Sequence, residues 1–295
     1  MLCIGNKYIF NDLDKNQLKK FGINEIKYIL NFDKKLIQKH NWIILNEIQL
    51  TDEEKKFLEN LKNKKIFNIE NFLEEFLHKL YIPSPENFEE KFEIKNLKPL
   101  NKFQYIQKRI IDFFVGGCLL ILTFPIILYS MYRIKKESPD GPILFTQKRI
   151  GKDGKEFTCY KFRSMRTNID YFNHYTQEND PRIFPWGAFM RQTRIDELPQ
   201  LINVFKGEMH LIGPRAEWSE LVKNYEKVWP YYHQRHIIAP GITGWAQVNY
   251  PYGKNLEDTR QKLMYDLYYI KNWSLKLEIK TIIKTIQVMI GRKGL

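Results

Sequence analysis

The sequence predicts a mixed α/β chain: a small α/β region, then a proline-broken apolar helix, then a helix-rich α+β domain with amphipathic helices suited to a membrane interface. Three observations carry that prediction. Short apolar runs alternate with capped helical patterns over residues 1–95. Residues 113–132 hold no charged side chain. Beyond them, two strand-like runs flank Gly151-Lys-Asp-Gly154, and helical patterns follow.

In the first region, residues 26–30, 42–45 and 65–67 read as strands. Thr51 with Glu54 three residues on is a capping box for a helix reaching Leu61. Residues 72–80 make another short helix. No glycine-rich phosphate loop is present. Tyr81-Ile-Pro-Ser-Pro85 opens a connection, and residues 96–107 complete it as a linker.

The uncharged run comes next. Roughly 20 residues at about 1.5 Å each just span a hydrocarbon core of about 30 Å. Pro125 removes a backbone donor and crowds the Ile121 carbonyl, with the Thr123 hydroxyl near enough to help locally. Lys108 and Arg109 precede the run; Arg133, Lys135 and Lys136 follow it. Basic flanks mark the cytoplasmic side, and here both flanks are basic. A helix over 108–136 that enters the membrane, bends at Pro125 and leaves on the same face satisfies both facts, with Phe113, Pro125 and Tyr132 in lipid. A kinked spanning helix and a buried core helix are the alternatives.

Residues 137–295 begin with a hairpin, residues 142–150 and 155–162 around a four-residue loop. A polar stretch over 167–182 ends in Asp180-Pro-Arg182. In Asp196-Glu-Leu-Pro-Gln200, Pro199 fits only the first turn of a helix, which places the start near Asp196 as N-cap. Gly207 stops that helix. Asp196 is then either a cap or half of a carboxylate pair beside a positive helix end. Arg191, Arg194 and Arg215 favour the second reading, because arginine forks suit phosphate oxygens. Carboxylates, a divalent cation and arginines together suit phosphoryl transfer.

Pro240-Gly241 signals a type II turn, and Trp245 reads better as core than as a base-stacking ring. His233 and His236 lack a third metal ligand. In the last helix, Leu275, Ile279, Ile282, Ile283, Ile286, Met289 and Ile290 share a face, and Lys276, Lys280 and Lys284 form a separate stripe. That pattern fits a membrane interface with lysines toward headgroups, or a surface helix packed by its apolar face.

The formal net charge of +13 calls for an anionic partner, although lysine-rich coding bias accounts equally well for the N-terminal lysines. No nucleic-acid motif is recognised, so nucleic acid is excluded as partner. Cys3, Cys118 and Cys159 are scattered, which implies a reducing compartment. No signal peptide is read at the start, so that end is expected in the cytoplasm.

Eight motifs occur in order: Lys108-Arg-Ile-Ile-Asp112, the apolar run with Pro125, Gly141-Pro-Ile-Leu-Phe-Thr-Gln147, Tyr160-Lys-Phe-Arg-Ser-Met165, Asp180-Pro-Arg182, Asp196-Glu-Leu-Pro-Gln200, Gly213-Pro-Arg215 and Pro240-Gly-Ile-Thr-Gly-Trp-Ala-Gln247. Over residues 102–295 the chain resembles the bacterial sugar transferase family, the monotopic polyprenyl-phosphate phosphoglycosyl transferases. The resemblance implies that 137–295 is catalytic and moves sugar-1-phosphate from a UDP-sugar to undecaprenyl phosphate, releasing UMP. It implies Asp196 as nucleophile, Glu197 as its assistant, and Mg2+ at this pair. It implies Arg191 and Arg215 at the phosphates. Lys161, Arg163, Arg182, Gln200 and Arg235, in or beside the motifs, are further substrate-binding candidates. It also implies a re-entrant helix in lipid, on the cytoplasmic face of a bacterial inner membrane, at the start of surface-glycan assembly. A homo-oligomer is compatible with the sequence.

Two positions depart from the family pattern. Ala216 stands where a proline is usual and should loosen its loop; Arg194-Ile195 replaces Ser-Leu before the carboxylates. The N-terminal piece weakly resembles the tail of the α/β regulatory domain of larger members. An inactive membrane scaffold of the same fold is the alternative, and the intact Asp196-Glu197 pair argues against it.

Overall fold

A computed structural model of the chain describes residues 1–46, 50–84, 94, 96–169, 180–229, 231–251, 253 and 255–290. The backbone divides into two units, Met1–Ile94 and Lys95–Leu295. Most of the polar stretch over 167–182 and part of the linker lie outside the described residues.

In the first unit, β1 (Leu2–Ile4), β2 (Lys27–Ile29), β3 (Trp42–Leu45) and β4 (Lys65–Asn68) form a parallel sheet in the order β2-β1-β3-β4. The sequence missed β1. It is three residues long and buried throughout, so it shows no alternation. Helices α1 (Asp12–Leu18), α2 (Lys34–Lys39) and α3 (Asp52–Glu59) intervene. The capping box of α3 forms: Glu54 N donates to Thr51 Oγ1 at 3.3 Å, and Thr51 N to Glu54 Oε2 at 2.8 Å. The helix expected over 72–80 begins earlier, as α4 (Ile69–Phe72), and continues as one wide turn to Leu77. Leu2, Ile4, Ile37, Ile43 and Leu58 form the core.

The second unit is organised by α5 (Lys102–Glu137), a helix of 36 residues. It starts upstream of the expected residue 108, because Asn101 and Gln104 make a reciprocal capping box. It runs through Pro125 without a break, so the proline does not end it. Thr123 Oγ1 donates to Leu119 O at 2.7 Å, not to the Ile121 carbonyl that Pro125 leaves without its helix donor.

One face of α5 meets the rest of the unit at three- and four-residue spacing. Lys108, Asp112, Gly116, Ser130 and Ile134 are buried. Phe113, Pro125 and Tyr132 are exposed, with Ile110, Phe114, Ile121, Leu122, Phe124 and Leu128. Lys108 Nζ donates to Glu278 Oε1 at 2.5 Å and to Tyr269 OH at 2.7 Å, and neither Lys108 nor Glu278 has any exposed side-chain area (0%/0%). One turn later, Asp112 accepts from Leu211 N at 2.8 Å and from His210 Nδ1 at 2.5 Å. At the far end Ile134 enters a core with Phe162, Phe184 and Met190.

After α5 come β5 (Leu144–Ile150) and β6 (Glu156–Phe162), the antiparallel hairpin expected from the sequence. Next are α6 (Pro185–Thr193) and α7 (Gln200–Lys206), the latter closed by Gly207 at φ 82°. Strand β7 (His210–Ile212) pairs in parallel with β8 (Gly241–Thr243), and α8 (Ser219–Val228) lies between them in the chain. Helices α9 (Trp245–Asn249), α10 (Leu256–Lys271) and α11 (Leu275–Ile290) close the unit.

Helix α11 removes one of the two readings of its pattern, the surface helix packed by its apolar face. Its apolar stripe does not pack inward: Leu275, Ile279, Ile283, Ile286, Met289 and Ile290 are exposed, while Leu277, Glu278 and Thr281 are buried. Of its lysines, Lys276 and Lys280 are exposed and Lys284 is half-buried. Lys280 and Lys284 place their ammonium groups 5.2 and 4.8 Å from the centre of the Trp245 ring. Trp245 is core, as read, stacked on Tyr268.

The Lys108–Glu278 pair yields a test. Lys108→Met leaves a buried carboxylate uncompensated and should cost about 3–5 kcal/mol, whereas Lys108→Met with Glu278→Met should cost less than the single change. Thermal unfolding of the detergent-solubilised chain measures both, and a double variant less stable than Lys108→Met counts against the pairing.

Candidate active site

The carboxylate pair sits on a short 3-10 turn, Ile195–Glu197. Helix α6 ends at Thr193, and Arg194 takes a left-handed conformation, φ 60° and ψ 15°, that reverses the chain. Helix α7 begins only at Gln200, with Pro199 at its N-cap position. Asp196 is therefore not the cap the sequence suggested. It is buried, and among the described residues its Oδ1 has no hydrogen-bond partner. A buried carboxylate oxygen left without a donor costs free energy and singles Asp196 out as a candidate functional group.

Glu197 has the opposite surroundings. Lys161 Nζ on β6 donates to its Oε1 at 2.7 Å. Arg215 Nη2 lies 3.5 Å and Arg194 Nη1 3.7 Å from the same oxygen. Burial acts to raise the Glu197 carboxyl, but Lys161, Arg215 and Arg194 outweigh it and hold the group well below the usual carboxylate range. Burial, aided by the Glu197 charge, pushes Asp196 up to about 6 against Lys161, Arg191 and Arg194. Burial pushes the Lys161 ammonium down, and Glu197 opposes it. Two adjacent carboxylates thus have separated acidities, the pattern that assigns distinct roles to a pair.

The other candidates divide. Lys161, Arg191 and Arg215 are brought to the pair. Gln200 is buried in the first turn of α7. Arg163 is not brought there. Its guanidinium clamps the loop after α5, donating to Ser138 O and Oγ at 2.5 Å each, to Pro142 O at 2.6 Å and to Met165 O at 3.1 Å. Arg182 forms a fork with Asp180, at 2.9 and 2.6 Å. Arg235 is buried against Asp266 rather than turned to the carboxylates.

Sequence reasoning missed Arg149 and Asn203. Arg149 on β5 donates to Ala216 O at 2.5 Å, and its charge is felt at Lys161. The hairpin carried the signal: Phe145 opposes Lys161 and Arg149 opposes Phe157, so period-two alternation puts Arg149 on the Lys161 face. Buried Asn203 on α7 accepts from Tyr160 N at 3.2 Å and donates to Thr158 O at 2.8 Å. Those bonds fix β6, and hence Lys161, against the helix that follows Glu197.

Among the described residues no three His, Cys, Asp or Glu side chains cluster as a metal cage. A magnesium ion is usually held by one or two carboxylates plus substrate phosphates and water. The partnerless Oδ1 of Asp196 fits that role. Glu197 fits it less well, because Oε1 already faces three cations.

The family model described as bacterial sugar transferase matches residues 103–292. The chain is 41% identical over 203 residues to a UDP-N-acetylgalactosamine-undecaprenyl-phosphate N-acetylgalactosaminephosphotransferase of Aeromonas hydrophila, covering 68% of this chain and 48% of the relative. It is 40% identical over 192 residues to a UDP-glucose:undecaprenyl-phosphate glucose-1-phosphate transferase of Xanthomonas campestris pv. campestris, covering 64% and 40%. It is 40% identical over 188 residues to an exopolysaccharide production protein of Rhizobium leguminosarum bv. phaseoli, covering 61% and 94%. The chain thus spans under half the length of the first two.

Close packing beneath α6 gives a test of how the site is held. A Cβ on Gly187 would lie 2.2 Å from Ser164 O. Gly187→Ala should therefore displace α6, cost about 1–3 kcal/mol and move Arg191 from the pair. An unchanged melting temperature in that variant would contradict the close approach.

Proposed function

The chain belongs to the bacterial sugar transferase family, and from that premise we propose that it transfers sugar-1-phosphate from a UDP-sugar to undecaprenyl phosphate, releasing UMP. One observation carries the reading. A buried carboxylate oxygen without a partner, on Asp196, stands beside Glu197, on which Lys161, Arg194 and Arg215 converge. An open anionic nucleophile next to gathered cations suits attack on a diphosphate.

In the proposed chemistry an Asp196 oxygen bonds to the phosphorus bearing the sugar. The bond from that phosphorus to the bridging oxygen breaks, and UMP leaves. A phosphate oxygen of undecaprenyl phosphate then attacks the same phosphorus and frees the Asp196 carboxylate. Lys161, Arg194 and Arg215 stabilise charge on the phosphoryl oxygens, and Glu197 holds these cations in place. Mg2+, held at Asp196 with Glu197 as a weaker second ligand, would supply charge neutralisation of the diphosphate.

The membrane arrangement belongs to the same proposal: the protein is monotopic, on the cytoplasmic face of a bacterial inner membrane, with α5 re-entrant. Two observations support it. Both ends of α5 pack against one unit, through Lys108 and Asp112 at one end and Ile134 at the other. The exposed faces of α5 and α11 are both apolar. Surface-glycan assembly is the process proposed to be fed.

Membranes containing the full chain, a UDP-sugar panel, undecaprenyl phosphate and Mg2+ test the chemistry. UMP should be released, and Asp196→Asn should abolish release; UDP instead of UMP, or activity kept in Asp196→Asn, rules the mechanism out. The reactive form of Asp196 is the carboxylate, so its protonation removes the nucleophile. Burial pushes that carboxyl up, to about 6 without metal, and Mg2+ at Asp196 would lower it, so UMP release should fall as the pH drops below about 6, at a lower pH the more Mg2+ is bound. A rate that instead rises as the pH falls through that range counts against the carboxylate as nucleophile. For topology, single cysteines replacing the exposed Lys102 and Asp140, in a Cys118→Ser background, should both resist a labelling reagent applied outside intact spheroplasts; labelling of one end alone refutes the re-entrant path.

A further inference from the structure

The loop that carries Arg215 is held by its carbonyls. Pro214 O accepts from Gly241 N at 2.9 Å, and Glu217 O from Ile150 N at 3.1 Å. Between them, Arg215 O accepts from Arg235 Nη2 at 2.9 Å, and Ala216 O from Arg149 Nη1 at 2.5 Å. Four successive carbonyls are therefore taken by donors from three directions: β8, β5 and the 3-10 turn Tyr232–Ile237 that bears Arg235. Ala216 is itself buried in this loop.

Arg235 is the least replaceable of these donors. Its side chain is 4% exposed. Nε and Nη2 both reach Asp266 Oδ2, at 3.1 and 2.7 Å, and Nη1 donates to Tyr232 OH at 2.9 Å. The one contact directed toward the site is Nη2 to Arg215 O. A buried guanidinium with four of its five N–H groups committed in this way is held off substrate, but it sets the backbone from which Arg215 reaches Glu197.

We infer that Arg235, fixed by Asp266 and Tyr232, is a positioning residue that holds the Arg215 backbone so that its guanidinium meets the Glu197 side of the phosphate site. The inference rests on the transfer reading above. It makes Arg235 act through Arg215, and it removes Arg235 from the groups that touch substrate.

A double-mutant cycle on the full chain in nanodiscs tests this, reading kcat and KM for UMP release together with melting temperature. Arg235→Lys alone should lower kcat about 30-fold, yet change kcat and KM by less than about threefold in an Arg215→Met background. Tyr232→Phe, which keeps the ring and removes one acceptor, should lower kcat about threefold in the first background and leave it unchanged in the second. Hydrogen exchange over residues 213–218 should speed up in Arg235→Lys and in Tyr232→Phe. A further large loss in the Arg215→Met background, or unchanged exchange, overturns the inference. Absence of UMP release from the unaltered chain defeats the transfer reading instead, and the exchange measurement still decides the role of Arg235.

Discussion

The second unit depends on two charges buried one turn apart, just before the long uncharged run of α5. Lys108 and Asp112 lie on the packed face of α5, each fully enclosed. An ammonium out of water costs several kcal/mol unless it is paired and hydrogen-bonded. Lys108 finds Glu278 and Tyr269; Asp112 finds His210 and the Leu211 amide. The partners of both groups lie on one side of α5, so they set which side of the helix meets the protein. The apolar side then has to face outward. Glu278 extends the constraint to α11, where it also accepts from Tyr269 and Trp273. With Glu278 facing inward, the isoleucine stripe of α11 faces out.

Asp196 and Glu197 show the same rule in a different form. They are neighbours in sequence, share a short turn and are both buried, yet their surroundings hold them at opposite ends of the carboxylate range. The difference is a matter of direction. The turn aims Glu197 at the hairpin face carrying Lys161 and at the Arg215 loop, and leaves one Asp196 oxygen without a donor. Arg194 serves twice, since its left-handed backbone reverses the chain and its guanidinium approaches Glu197. A positive φ at a non-glycine residue is a strained conformation, and here it lies beside the pair it positions.

The hairpin, the Gly207 stop and the α3 cap were legible because each depends on a few neighbouring residues. What is decided by contacts distant in sequence was not. Period-3.6 patterning located the stripes of α11 but could not say which of them faced in, because Glu278 makes that choice through Lys108, far away in the chain. Nor does spacing show that Lys280 and Lys284 of the other stripe lie near the Trp245 ring, a contact distant in sequence. Asp196 looked like an N-cap because Pro199 signals a first turn. The signal was sound, but the helix began one residue beyond the proline, and the carboxylates fell on the turn before it.

The arginines show why a charge of +13 says little by itself about a phosphate site. Arg109 donates to Val204 O and Phe205 O, the open carbonyls at the end of α7. Arg149, Arg163 and Arg235 likewise donate to loop carbonyls. Buried carbonyls outside regular structure need donors, and a guanidinium can serve several at once. Arg194 and Arg215 instead approach a carboxylate. In sequence the two kinds are indistinguishable, for Arg109 and Arg163 sit in ordered motifs just as Arg215 does. What separates them is how many unpaired carbonyls surround each one, and a loop-rich domain around a short-helix site supplies many. The proposed phosphate site therefore draws on the arginines that turn to Glu197 rather than to loop carbonyls.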